Sequence, residues 1–93
     1  MFADKAPEDR MDELERILRR TEEPPFGTFR ISINRRMSIV VIDHQVDDDH
    51  GRCVGAVDAL TSRAIIDDVE MCDEISNRLT AAGIDVERRG GGR

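Results

Sequence analysis

Two adjacent prolines, Pro24 and Pro25, followed by Gly27, divide this chain into two regimes of hydrophobic spacing. Proline lacks the amide hydrogen that a helix needs, and its ring clashes with the preceding turn, so no helix crosses this point. Before it, Met11, Leu14, Ile17 and Leu18 fall at i, i+3, i+6 and i+7. Beyond it, Phe29, Ile31 and Ile33 alternate with Arg30, Ser32 and Asn34. The first spacing makes an apolar stripe on a helix, and the second makes a strand with one buried face. A fold that combines helix and sheet follows.

The first helix is expected over about Pro7 to Arg20. Proline suits a first helical turn, and Glu8, Asp9, Asp12 and Glu13 lie toward the positive end of the macrodipole, with Arg16, Arg19 and Arg20 at the negative end. Asn34, Arg35 and Arg36 read as a turn between the first strand and the β-branched run SIVVID, Ser38 to Asp43, which suits a strand covered on both faces or buried at a dimer interface. HQVDDDHGR reads as a polar loop, and Cys53–Val57 as a short third strand weakened by Gly55. From Asp58, Thr61 or Ser62, each able to cap a helix, Ile65, Val69, Cys72, Leu79 and Ala82 recur at helical steps and predict a long second helix. Gly83 is the expected helix stop, and Ile84 with Val86 could form a last short strand. The expected fold is α+β and two-layered: a three- or four-stranded antiparallel sheet with two helices, in the order α-β-β-β-α with a possible final strand. Residues 1–7 read as a flexible arm, 8–87 as one domain and 88–93 as a flexible Arg/Gly tail.

The 93 residues include no Trp or Tyr and only three Phe, so one core built from aliphatic side chains is all they can supply. Domains of this size leave much surface uncovered, and a second copy or a partner often completes them. A homodimer is therefore expected. Cys53 and Cys72 sit in apolar contexts without a metal or framework spacing and read as buried, reduced thiols. The N-terminal residues lack a charged-then-apolar leader, and no apolar run approaches the roughly 18 residues of a membrane span, which predicts a cytoplasmic protein without membrane insertion.

The net charge of −6 argues against whole-surface binding to nucleic acid or an anionic membrane. The charge is segregated: residues 26–41 carry +3 and residues 42–80 carry −7. Such separation suits docking to an oppositely patterned protein. On the predicted second helix, Asp67, Asp68, Glu70, Asp73 and Glu74 form a dense acidic face, and Ile66 and Met71 lie off the main apolar stripe; these seven residues are the expected partner-binding surface. An acidic DNA mimic is an alternative use of the same face. Arg35 and Arg36, with Arg88, Arg89 and Arg93 of the tail, are the alternative nucleic-acid contacts.

Catalysis and metal binding have less support. His44, Asp47, Asp49 and His50 supply metal-ligand types, but starting a calcium loop at Asp47 places Gly51 fifth and Arg52 sixth, which breaks that pattern. A solvated turn is the expected reading, without cofactor. Ser38, Cys53, His44 and Asp43 are available as types for nucleophilic catalysis, yet no nucleophile elbow or phosphate loop accompanies them. No enzymatic activity is expected.

The order helix, three antiparallel strands, helix over about residues 8–82 resembles the double-stranded-RNA-binding domain in topology. That family uses a lysine-rich start of its second helix on phosphates, whereas DALTSRAIIDD offers Arg63 against Asp58, Asp67 and Asp68. In length and in arginine-dominated basic composition, with Lys5 the one lysine, the chain also resembles small proteins encoded by phages of GC-rich bacteria, mycobacteriophages among them, some of which bind and disable a host protein. A small non-enzymatic protein-binding module, acting on a host protein, is the function these features predict.

Overall fold

The computed structural model describes residues 2–20, 29–45 and 51–90. It is α+β: helix α1 (Pro7–Arg19), strands β1 (Phe29–Asn34), β2 (Ile39–Gln45), β3 (Gly51–Asp58) and β4 (Arg63–Asp67), helix α2 (Asp73–Ala81) and strand β5 (Asp85–Arg89). The strands form one sheet in sequence order, antiparallel from β1 to β4. β5 joins parallel to β4, and a parallel neighbour requires a crossover, which α2 provides. No helix among the described residues is long and apolar enough to cross a membrane.

Four expectations need correction, the first that 88–93 is a flexible tail: Arg88 and Arg89 belong to β5 and pair with Ile66 and Asp67. Residues 63–67 are strand rather than the start of a long helix, so α2 is nine residues long and the sheet has five strands. In β4, Ala64 and Ile66 turn into the core while Arg63 and Ile65 stay outside, a period of two that the helical spacing of Ile65, Val69 and Cys72 masks. Two strands pair with β4, and together they outweigh a local preference for helix. Within the expected arm over residues 1–7, Phe2–Asp4 forms a single 3-10 turn, Phe2 is buried and Pro7 opens α1. Cys53 is exposed on β3, whereas Cys72 is buried as expected, and both are free thiols.

Among the described residues, the buried apolar side chains belong to one cluster on one face of the sheet. Ile31, Val40, Ile42, Val57, Ala64 and Ile66 face Met11, Leu14 and Leu18 of α1 and Ile75 and Leu79 of α2. The SIVVID run is therefore central in the sheet but covered on one face: Val40 and Ile42 are buried, and Ile39 and Val41 lie half-buried on the other side. A register shift between Ile42 and Asp43 marks a bulge that lets Val54 join the core. α2 ends in a Schellman motif: Gly83 adopts φ +95°, its amide donates to the Thr80 carbonyl, and the Ile84 amide donates to the Leu79 carbonyl. The stop expected at Gly83 is where the helix ends.

Gly55 is the tightest position in the sheet. It pairs with Ile66, and a Cβ there would lie 2.5 Å from Ile66 Cδ1 and 2.8 Å from the Ile65 carbonyl oxygen. The carbonyl belongs to the ladder and cannot yield without breaking register. Gly55→Ala should therefore lower unfolding free energy by about 1–3 kcal/mol. Gly51→Ala, whose nearest neighbour would be at 3.4 Å, should change it by about 0.5 kcal/mol or less. Urea denaturation of the two variants checks the contrast.

Candidate interaction surface

The β1–β2 and β3–β4 turns share one end of the sheet, as the meander requires, and they are built alike. Asn34 pairs with Ile39 across four turn residues, and Asp58 pairs with Arg63 across another four. In each turn the opening side chain turns back on its own backbone: Asn34 Oδ1 accepts the Met37 amide at 3.1 Å, and Asp58 Oδ1 accepts the Leu60 and Thr61 amides at 2.9 and 3.3 Å. Each turn closes on a serine in the left-handed region, Ser38 at φ +57° and Ser62 at φ +58°. A serine there carries a cost that glycine would avoid, so the surrounding bonds must hold it in place.

Those bonds tie the two turns to each other, to β5 and to α1. The Ala59 amide donates to the Ser38 carbonyl at 2.9 Å, and the Asp85 amide donates to the Ser62 carbonyl at 2.9 Å. From α1, Arg10 Nη1 donates to the carbonyls of Ala59 and Leu60 at 2.9 and 3.0 Å, while its Nε donates to the Lys5 carbonyl at 2.8 Å. The turns thus form one braced tip. Met37 and Leu60 project from it, 60% and 56% exposed, the two largest exposures among the large apolar side chains of the described residues. Beside the tip, Pro7, Glu8, Met11, Asp12, Arg35 and Ser38 line a groove of about 310 Å³. The signal was present in the chain as two matching five-residue stretches, Asn-Arg-Arg-Met-Ser at 34–38 and Asp-Ala-Leu-Thr-Ser at 58–62. Reading Asp58 and Ser62 as helix caps hid it, because an Asx side chain caps a helix and closes a turn by the same bond to backbone amides.

The residues expected to bind a partner are separated by the fold. Ile66 is fully buried opposite Gly55, because β4 is a strand that turns Ile66 inward; it offers nothing to a partner. Asp67, Asp68, Glu70, Asp73 and Glu74 do not share a helix face but wrap the corner from the end of β4, through a 3-10 turn at Glu70–Cys72, into α2. Arg88 holds this corner. Only 27% exposed, it donates Nη2 to the Val69 carbonyl at 3.0 Å and to Asp73 at 2.8 Å, and Nε to the Asp67 carbonyl at 3.3 Å, with Asp68 at 3.4 Å. Arg52 meets Asp67 at 2.9 Å and Arg78 meets Glu74 at 3.1 Å. Much of the acidic face is thereby neutralised from within; Glu70 and Met71 remain exposed without an ion pair among the described residues.

The proposed nucleic-acid contacts are also dispersed. Arg35 pairs with Asp12 at 2.9 Å, Arg88 is the corner clamp, and Arg89 pairs with Glu87 at 2.9 Å. Arg36 stands at the tip without an ion-pair partner among the described residues, and Arg93 lies outside them. Phe29 is core, packed against His44 with ring centroids 5.5 Å apart, and offers no stacking face to a base. Of the candidate metal ligands, His44 is half-buried there, while Asp47, Asp49 and His50 lie outside the described residues. Among the described residues no group of three or more His, Cys, Asp or Glu side chains is placed to hold a metal ion. Burial pushes the Cys72 thiol up from its ordinary value, with Asp67 adding to the rise and Arg88 opposing it. Comparisons of this chain with protein-family models, curated proteins and solved structures find no match.

Arg88→Met should cost about 1.5–3 kcal/mol of stability, since half-buried carbonyls lose a charged donor, while Arg89→Met should cost about 0.5 kcal/mol or less; denaturant titration compares them. Because the folded state holds the Cys72 thiol protonated beyond the ordinary range, stability is full below that range and falls as pH rises through it. Unfolding titrations at increasing pH should show this slope in the parent and lose it in Cys72→Ala. A thiol reagent at neutral pH should label Cys53 roughly 100-fold faster than Cys72.

Proposed function

We propose that this chain is a small non-enzymatic protein-binding module that engages its partner through the braced tip. The observation that carries the reading is the exposure of Met37 and Leu60 on two turns that hydrogen bonds hold rigid. Large apolar side chains on a mobile loop would lose conformational freedom on docking; here the backbone beneath them is already ordered, which lowers the cost of association. Methionine adapts to irregular apolar pockets, and arginine is enriched among residues that dominate interface energetics. Arg36 stands next to Met37. The complementary surface is an apolar pocket or groove on another protein with an acidic rim near Arg36.

Nucleic acid is the poorer fit. Arg35 and Arg88, two of its proposed contacts, are committed to ion pairs within the chain, and Phe29 is buried. Neutralised acids likewise weaken the case for a phosphate mimic at the corner.

Retention of proteins by the tagged chain from a nuclease-treated lysate of a GC-rich bacterium tests the reading when run beside Met37→Asp/Leu60→Asp. The double variant should keep its helix and sheet signal and lose at least tenfold of the protein that the parent retains, as expected when central apolar anchors are replaced by charge. Equal retention by parent and variant, loss caused by Met71→Asp instead, or retention that depends on nucleic acid would each overturn it.

A further inference from the structure

We propose that the uncovered face of the sheet is where two copies of this chain meet, stacked about a two-fold axis that runs across the strands. Among the described residues, the helices and the buried cluster lie on one face, and nothing packs on the other. The register sets Ser32, Val41, Ala56, Ile65 and Glu87 in one row across all five strands of that outer face. Its middle is apolar, and Ile65 is 42% exposed.

The charges beside this row select the occupant. Toward the tip, Arg63 stands in register with Asp85, their charged groups 3.6 Å apart; on the other side of the row, Asp67, which Arg52 of the same copy meets at 2.9 Å, stands in register with Arg89. β4 therefore carries a cation at its tip end and an anion at its far end, and β5 carries the reverse. An axis across the strands exchanges the two ends, which lays Arg63 over Asp67 of a second copy and Asp85 over Arg89, each encounter occurring twice. Val41, Ala56 and Ile65 then meet their own counterparts. Glu87 meets its counterpart at the rim, where Arg89, 2.9 Å away in the same copy, is shared between Glu87 and Asp85 of the second copy. An axis along the strands would instead oppose Arg30 to Arg89 and Asp43 to Asp67, like against like. Face-to-face sheets pack about 10 Å apart with strands aligned within about 30°, so the stack is an ordinary sandwich of two one-sided sheets. The tips would point outward at opposite ends, so this inference does not depend on what they bind.

Sedimentation equilibrium of the full chain, from low to high micromolar concentration, tests it. The parent should form dimers. Asp85→Arg and Arg89→Asp should each weaken the dimer about tenfold or more, and the double swap Asp85→Arg/Arg89→Asp should return it to within about threefold of the parent, because exchanging both ends preserves the complementarity. Ile65→Asp should leave folded monomers, and Met37→Asp/Leu60→Asp should leave the dimer unchanged. A parent that stays monomeric, single reversals that dimerise like the parent, or a double swap as weak as the singles would overturn the proposal. Dimer loss in the tip variant alone would move self-association to the tip.

Discussion

Two helices of 13 and nine residues must cover a sheet of five strands, and they reach across one face of it. Every large feature of the molecule follows from that coverage. Side chains can be buried on alternate positions of a strand, so the sequence must alternate, and the other half of each strand remains at a surface. Helix–sheet packing then concentrates the apolar side chains into a single cluster, with Leu14, Leu18, Val40, Ile42, Ile66 and Leu79 fully enclosed. With so few aromatic residues, methyl and methylene packing supplies nearly all of the hydrophobic stabilisation, which makes tight positions such as Gly55 and Ile66 sensitive to a single added carbon.

Arginines brace the two ends of this layer. Arg10 gathers the carbonyls of the β3–β4 turn onto α1, and Arg88 gathers those of the β4–α2 corner onto β5. Both reach backbone oxygens at turns, where a carbonyl has a lone pair left for a side-chain donor. A planar guanidinium with five donors serves such a cluster better than lysine, whose charge is compact and strongly hydrated. The arginine bias of the chain thus has a structural use, whatever its origin in base composition. It also explains why positive charges that look available in the sequence are largely committed in the fold.

Elements with a local cause are legible in the sequence, and elements made by long-range pairing are not. The helix over 7–19, the strand over 29–34, the central strand after it and the glycine stop at 83 were legible because each rests on a local cause: proline at a helix start, alternation, a β-branched run, and a residue that accepts positive φ. The stretch 63–67 was not, since Ile65, Val69 and Cys72 match a helix and only pairing with β3 on one side and β5 on the other makes a strand of it. The candidate surface suffered from that same ambiguity. Asp58 and Ser62 have one chemistry, a short side chain that bonds nearby amides, and whether it caps a helix or closes a hairpin depends on where the chain goes next.

The sequence by itself determined the class of fold, the single aliphatic core, the break between helix and sheet, and the turn that opens at Asn34. These are consequences of spacing and backbone preference over a few residues. The tertiary structure decided which charges are spent and which face is open. It turned Ile66 inward, closed Arg88 onto the acidic corner, brought Met37 and Leu60 to one end of the sheet, and left Val41, Ala56 and Ile65 in a row on the uncovered face. Those outcomes depend on strand order, register and a parallel pairing across a crossover, relations between residues far apart in the chain that no local pattern encodes.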